Sequence, residues 1–120
     1  MGLDLFFYKR QYSALKTFRK VNFLVKFFED KGFEVENLSP IVLKKDLLEE
    51  LLNRCKQVLD DHSKADELLP TRSGFFFGST NYDEYYFKNV EEVLTAIRDK
   101  ILPEFDTLDK DEAIVFEIWY

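Results

Sequence analysis

The chain concentrates side chains that can do chemistry in the segment 71–87. Within it, Ser79 and Thr80 follow Gly78, so the turn offers adjacent backbone N–H groups and two hydroxyls. This combination suits an anion such as phosphate. Arg72 can add a charge-assisted hydrogen bond to the same anion. The pattern predicts a small-ligand site.

Two carboxylates, Asp83 and Glu84, come directly after this turn. Carboxylates serve as general acid and base, or hold a hard cation through oxygen. They also repel a phosphate. A phosphate site and a cation site in this segment therefore weaken each other unless a metal ion bridges the phosphate and the carboxylates. The segment has no Walker-type Gly-Lys-Ser/Thr and no nucleophile elbow. We therefore assign no catalytic residue and favour a binding protein, with an enzyme or sensor that uses the Gly78–Thr80 turn left open as the alternative.

The same segment also predicts a surface for protein interaction. Tyr82, Tyr85 and Tyr86 surround the two carboxylates and form a mixed aromatic and acidic group. Tyrosine anchors many interfaces because its ring buries a large rigid area and keeps a polar tip. Further carboxylates can extend a negative face that imitates nucleic acid: Asp60, Asp61, Asp66, Glu67, Glu91 and Glu92.

A third interpretation of the segment is purely architectural. Gly74 and Gly78 can supply backbone conformations that a β-carbon disfavours, while the three phenylalanines at 75–77 fill the core. All three interpretations stay open at the level of sequence. We expect residues 75–77 to be extended and residues 78–82 to form a turn.

The remaining reactive side chains predict no further site. Cys55 is the only cysteine and lies among helical leucines, as is typical of a buried thiol. His62 is the only histidine, which excludes a multi-histidine metal site. At a helix end after two aspartates, a capping or surface role suits it. We expect no cofactor and no bound metal.

Charge and hydropathy narrow the range of partners. The chain has 17 Lys and Arg against 23 Asp and Glu, and its net charge of −6 argues against direct binding to nucleic acid. No apolar run approaches the length of a membrane span, and the first residues do not resemble a signal peptide. We therefore expect a cytoplasmic protein with no membrane contact.

Four stretches outside the segment predict strands. Residues 3–8 are large and apolar, which indicates a strand buried on both faces. Residues 33–37 alternate weakly and suggest an edge strand, and residues 41–43 form a β-branched stub. Residues 113–120 are continuous β-formers, and we expect them to pair antiparallel with the first strand.

Three helices are predicted from apolar spacing. The first begins after Thr17 and stops at Gly32, and Phe23 and Phe27 widen its apolar stripe enough to permit a homodimer without requiring one. The second begins at a capping box of Asp46 and Glu49. Its stripe consists of Leu47, Leu48, Leu51, Leu52, Cys55, Val58 and Leu59. The third runs from Asn89, capped with Glu92, to Pro103, with Val90, Val93, Leu94, Ile97 and Ile101 inward.

Together these elements predict an α+β fold. We expect one domain over residues 1–120, with two layers and a mostly antiparallel sheet. The first and last strands should be central, because both are apolar, and about three helices should pack largely on one face. No linker or repeat marks a domain boundary.

Residues 68–87 have the sequence LLPTRSGFFFGSTNYDEYYF, whose placement of glycines and aromatic residues resembles a family of small phage and prophage proteins. The opening Met1-Gly2-Leu3-Asp4 is similar to that family as well. The family has no established activity, so the resemblance implies a phage or mobile-element origin and brings no catalytic residue. We expect a small protein-interaction module that acts on a host protein.

Overall fold

The computed structural model describes residues 2–9 and 13–120. Met1 of the opening stretch lies outside the described residues. Four strands form one antiparallel sheet in the order β2-β1-β4-β3, which places the first and last strands in the centre as predicted. The strands are β1 (Asp4–Lys9), β2 (Ser13–Arg19), β3 (Ile41–Leu43) and β4 (Ile114–Trp119).

The sheet is covered on one face only. In β1, Leu5 and Phe7 are fully buried and lie opposite Ile118 and Phe116 of β4. The alternate residue Phe6 is only half-buried on the outer face. The prediction that the first strand is buried on both faces is therefore wrong. A strand in a two-layer sheet needs only its inner residues to be apolar, and here large aromatic residues also occupy outer positions.

The helices pack on the inner face, which confirms the predicted α+β class. They are α1 (Asn22–Asp30), α2 (Lys45–Asp60), α3 (Ala65–Leu68) and α4 (Glu84–Ala96). A 3-10 turn (His62–Lys64) precedes α3, and a π-helical turn (Ile97–Ile101) and a 3-10 turn (Leu102–Thr107) follow α4. In the described residues, no helix is both long and apolar enough to cross a membrane.

The first helix begins later than predicted. The helix expected after Thr17 is wrong there, because Ser13–Arg19 forms strand β2 and Phe18 enters the core opposite Leu5. Its end is confirmed: Gly32 has φ +95° and donates its N–H to the Glu29 carbonyl. This geometry is the αL stop for which glycine is favoured.

Helix α1 is enclosed on both of its apolar sides. Phe23 and Phe27 are both almost completely buried. The Phe23 ring packs edge-on against Tyr86 of α4 at 5.5 Å, and the Arg54 guanidinium of α2 lies 5.3 Å from the Phe27 ring. The wide apolar stripe therefore serves the core, and it no longer argues for a homodimer.

The other two long helices differ from prediction at their starts. Helix α2 has Lys44 at its N-cap, so the capping box at Asp46 is wrong, although the apolar stripe is buried as expected. Helix α4 begins at Glu84 rather than Asn89, because the Asp83 carboxylate accepts a hydrogen bond from the Tyr86 N–H at 3.1 Å. Pro103 lies inside the following 3-10 turn and does not end α4.

The predicted edge strand at 33–37 is also wrong. Only an isolated bridge joins Asn37 to Ile118. The stretch instead leads to Leu38, whose N–H donates to the Ile118 carbonyl at 2.9 Å and whose backbone has φ +62°. A left-handed residue interrupts the extended geometry that a strand requires.

Candidate functional site

One buried polar side chain holds the segment 71–83 on the fold. Asn22, at the start of α1, is 3% exposed. Its amide nitrogen donates to the Phe77 carbonyl at 3.0 Å and to the Ser79 carbonyl at 2.9 Å. Its amide oxygen accepts the Arg72 N–H at 3.0 Å. All the hydrogen bonds that this amide makes within the described chain therefore go to backbone atoms of the segment.

The segment turns at Phe75 and Phe76, contrary to prediction. The Phe77 N–H donates to the Gly74 carbonyl at 3.1 Å, and Phe76 has φ +67°. A positive φ at the third residue is the pattern of a type II turn. Gly74 is required here, because a β-carbon would lie 2.8 Å from the Phe77 ring. Phe77 is buried, whereas Phe75 is 81% and Phe76 43% exposed.

The turn lies against one end of the sheet. The Phe76 carbonyl accepts the Leu3 N–H at 3.0 Å, and the Phe77 ring packs edge-on against Tyr120 at 5.2 Å. Asn37 fixes Tyr120 in turn, because its side chain accepts the Tyr120 N–H at 2.9 Å and donates to its carbonyl at 3.1 Å. These contacts bring together residues that are far apart in sequence.

Five exposed apolar side chains gather at this end, and we call them the end surface. They are Leu38, Phe75, Phe76, Trp119 and Tyr120. Trp119 and Tyr120 share a shallow cleft with Leu38, and the Trp119 ring contacts Phe6 on the outer face of the sheet at 5.9 Å. Several exposed apolar side chains at one end of a fold make that end a candidate contact site.

Backbone strain is concentrated around the same end of the sheet. Three non-glycine residues in the described chain have positive φ: Lys20 (+58°), Leu38 (+62°) and Phe76 (+67°). The Lys20 N–H donates to the Leu3 carbonyl, and the Leu3 N–H donates to the Phe76 carbonyl. The Leu38 N–H donates to the Ile118 carbonyl. A left-handed residue that is not glycine costs about 1–2 kcal/mol. Strain of this kind persists where surrounding structure fixes it, and it is enriched at functional sites.

The structure uses Arg72 internally. Its guanidinium donates from Nε to one Glu29 oxygen at 2.8 Å and from Nη2 to the other at 3.3 Å, and it lies 5.6 Å from the Phe77 ring. The hydrogen bond to Glu29 raises the pKa of Arg72. Arg72 is thus a second clamp on the turn rather than a free cation beside Ser79.

The turn predicted at residues 78–82 is wrong, because the chain turns at Phe75 and Phe76 instead. Ser79 and Thr80 lie exposed in an irregular stretch. The Ser79 hydroxyl accepts the Asn81 N–H at 3.0 Å. The Thr80 carbonyl accepts the Thr71 hydroxyl at 3.0 Å. Ser79 lines a cleft described below, whereas Thr80 does not.

The three predicted tyrosines have different environments. Tyr85 is 78% exposed and Tyr86 only 5%. The Tyr86 hydroxyl donates to the Leu69 carbonyl at 2.7 Å, and burial raises its pKa well above the usual value. Tyr82 is partly exposed and accepts the Thr71 N–H at 3.3 Å. Only Tyr85 stands free for a partner.

The predicted carboxylates also have separate positions. Asp83 caps α4, and Glu84 is exposed in its first turn. Glu84 and Tyr82 line a broad cleft in which the His62 ring stacks on Phe87 at 3.7 Å. No group of three or more His, Cys, Asp or Glu side chains converges anywhere in the described chain. The metal version of the site therefore has no ligand set among these residues.

A narrower cleft of about 360 Å³ joins part of the predicted site to the β2–α1 junction. Its lining includes Ser79, Asp83 and Tyr85, all of which were predicted site residues. The lining also includes Arg19 and Lys20, which were not predicted as site residues. Sequence reasoning missed these two, because the distance in sequence between residue 20 and residue 79 hides their proximity.

The sequence also did not predict that the residues of the end surface lie together. The alternation in β4 does place Trp119 on the same face as Glu117, so its outward position was readable from the sequence. Nothing in the sequence shows that Leu38 and Phe75 lie at the same end of the sheet. Asn22 gave no signal either, since its partners are backbone atoms 50 or more residues away.

Comparison with known proteins gives no assignment. No protein-family model, no curated protein sequence and no solved structure matches this chain.

Proposed function

We propose that this protein is a small protein-interaction module of phage or prophage type, which binds a host protein through the end surface. The observation that carries the proposal is strained backbone beneath exposed apolar side chains. Leu38 and Phe76 are about half exposed, yet each occupies a left-handed conformation. Neither side chain is buried in return for this strained backbone. We therefore infer that both become buried when a partner binds.

Hydrogen bonds fix the backbone that carries the end surface. Leu3, Asn22 and Arg72 fix the turn that carries Phe75 and Phe76, and Asn37 fixes Tyr120. Ordering a loop on binding costs free energy, and a backbone that is already fixed avoids that part of the cost. Aromatic side chains are the anchors that supply most of the energy in many measured interfaces.

The proposed interface replaces the tyrosine group predicted from sequence. Tyr86 belongs to the core, so Tyr86→Ser tests folding rather than binding. Phe75→Ser and Phe76→Asn are better probes, because both side chains are exposed and asparagine tolerates a positive φ. Tyr85→Ser is the matched control, since Tyr85 is almost as exposed as Phe75 but lies outside the end surface.

The test is quantitative capture from nuclease-treated lysate of the bacterial host, followed by affinity measurement with the purified partner. We expect one host protein near one-to-one stoichiometry and a loss of about tenfold or more in affinity for Phe75→Ser/Phe76→Asn. Tyr85→Ser should bind normally. Equal binding by the double variant and the wild type would refute the end surface as the interface.

Sedimentation of the purified protein distinguishes self-association from host binding. The proposal expects a monomer at micromolar concentration. A dimer that dissociates with Phe75→Ser/Phe76→Asn would show instead that the end surface binds a second copy, and the host-protein proposal would then be wrong.

A further inference from the structure

Two cationic residues, Arg19 and Lys20, line the 360 Å³ cleft. Their side chains also lie close to each other, because a β-carbon at Gly2 would be 3.2 Å from both the Arg19 Nη2 and the Lys20 Cε. Neither forms an ion pair with any residue that the structure describes. The other described arginines, at 54, 72 and 98, each have a carboxylate partner.

Lys20 occupies a position that suits glycine better. Its φ is +58°, and its N–H donates to the Leu3 carbonyl at 2.6 Å, which fixes that conformation. Its aliphatic stem lies against Gly78, which itself has φ +87° and lacks room for a β-carbon without displacing that stem. A lysine thus occupies a strained backbone position in the cleft lining, with its charge unpaired among the described residues.

The rest of the cleft provides polar groups that the described protein leaves free. The hydroxyl of Tyr85 and the side-chain amides of Asn81 and Asn89 line it and have no hydrogen-bond partner among the described residues. Asp83 is the one carboxylate in the lining, and one of its oxygens is already used as the cap of α4. With Arg19 and Lys20, the lining has a net charge of +1 (two cations less one anion) in a chain of net charge −6.

We propose that this cleft binds a small organic phosphate. A phosphate monoester carries nearly two negative charges at neutral pH, which matches one arginine and one lysine. Arginine holds phosphate oxygens through paired N–H groups, and lysine adds a compact charge. The organic part then lies along Tyr85 and the two asparagines. The volume of the cleft lies in the lower range of small-molecule sites.

The test is titration of the purified protein, followed by NMR, with adenosine 5′-monophosphate, ribose 5-phosphate, adenosine and inorganic phosphate. We expect both organic phosphates to shift the amide signals of residues 19–22 and 78–85, and adenosine to leave them unchanged. Binding of inorganic phosphate as tight as that of the two esters would refute the organic part of the proposal. No shift with any phosphate would refute the site.

Variants separate a ligand role from a structural one. Arg19→Gln and Lys20→Gly should each weaken binding by about tenfold. Lys20→Gly should keep its Tm, because glycine adopts the positive φ without strain. Lys56→Gln, an exposed lysine of α2 without an ion pair in the described chain, is the control and should bind normally. Unchanged affinity in both cleft variants would overturn the proposal.

Asp83→Asn is expected to change the phosphate affinity in the opposite direction. Asparagine caps a helix about as well as aspartate, so α4 should keep its start while the cleft loses its negative charge. We expect phosphate affinity to rise by about threefold. A fall in affinity would contradict the proposed position of the phosphate. Phe75→Ser/Phe76→Asn should not change phosphate binding, so this proposal and the end surface can fail independently.

Discussion

Helix α2 and the segment 71–83 both bury apolar side chains, but different forces hold them. Helix α2 buries Leu48, Leu51, Cys55 and Val58 along one stripe. Hydrogen bonds within the helix satisfy its backbone N–H and C=O groups. The segment buries only Phe77 and depends on Asn22 for its backbone partners. A repeated apolar spacing is thus sufficient for the helix, whereas the segment needs a specific polar contact from elsewhere.

The largest expected effect is in the helix. Leu51→Ala removes a completely buried side chain, and we expect it to lower the free energy of unfolding by about 3 kcal/mol. Urea unfolding followed by circular dichroism measures this loss. Leu52→Ala, on the half-buried side of the same helix, should cost clearly less. Equal losses would show that burial does not explain the stability of α2.

The next effect breaks the support of the segment. Asn22→Ala leaves two carbonyls and one N–H without their partner, and we expect a loss of about 2 kcal/mol. Hydrogen exchange should rise first at Arg72 and Phe77, and much less in α2. Asn53→Ala, at an exposed position of α2, is the control. Uniform acceleration across both regions would show that the two are not separate units.

A smaller effect is expected where the segment joins α4. Asp83→Ala removes the carboxylate that accepts the Tyr86 N–H, which should lower stability by about 1 kcal/mol. Asp83→Asn should recover most of this loss in thermal unfolding. If asparagine fails to recover it, charge rather than capping determines the role of Asp83.

The smallest effect concerns pH, at the opposite end of β1. The Asp109 N–H, with Lys9 beside it, holds the pKa of Glu112 below its usual range. A carboxyl with a lowered folded pKa adds stability above its unfolded pKa, and this is lost as pH falls through the folded value. Glu112→Gln should therefore flatten the fall of Tm below about pH 4.3. Glu49→Gln, on the exposed side of α2, should not.

Elements held by regular apolar spacing were predicted from the sequence, and those held by distant polar contacts were not. Residues 3–8, 41–43 and 113–120 were predicted as strands, and the α2 stripe as a helix, because apolar spacing reports burial directly. Strand β2 was missed, because Phe18 fits a helical stripe as well as a strand and only pairing with Leu5 decides between them. The position of the turn at Phe75 and Phe76 depends on Leu3 and Asn22, which no local pattern indicates.

Within the candidate site, composition found the segment but not its geometry. The backbone roles predicted for Gly74 and Gly78 are confirmed, because a β-carbon at Gly74 would clash with Phe77 and Gly78 has a positive φ. The binding role predicted for the exposed Tyr85 stays a prediction. The sequence could not show that Arg72 and Tyr86 are unavailable for a ligand. Arg72 pairs with Glu29, and the Tyr86 hydroxyl donates to the Leu69 carbonyl, and both partners are distant in sequence. Long-range polar pairing is invisible to spacing, and in this protein it determines which side chains stay free.

The hydrogen bonds of the Asn22 side chain within the described residues all go to main-chain atoms of the segment. The side chains at positions 75 and 76 take no part in those hydrogen bonds. Different residues can therefore be exchanged at the tip while the scaffold beneath stays constant, provided that position 76 tolerates a positive φ. If the end surface binds a partner as we propose, substitutions at this turn can change which partner is bound while the fold stays the same.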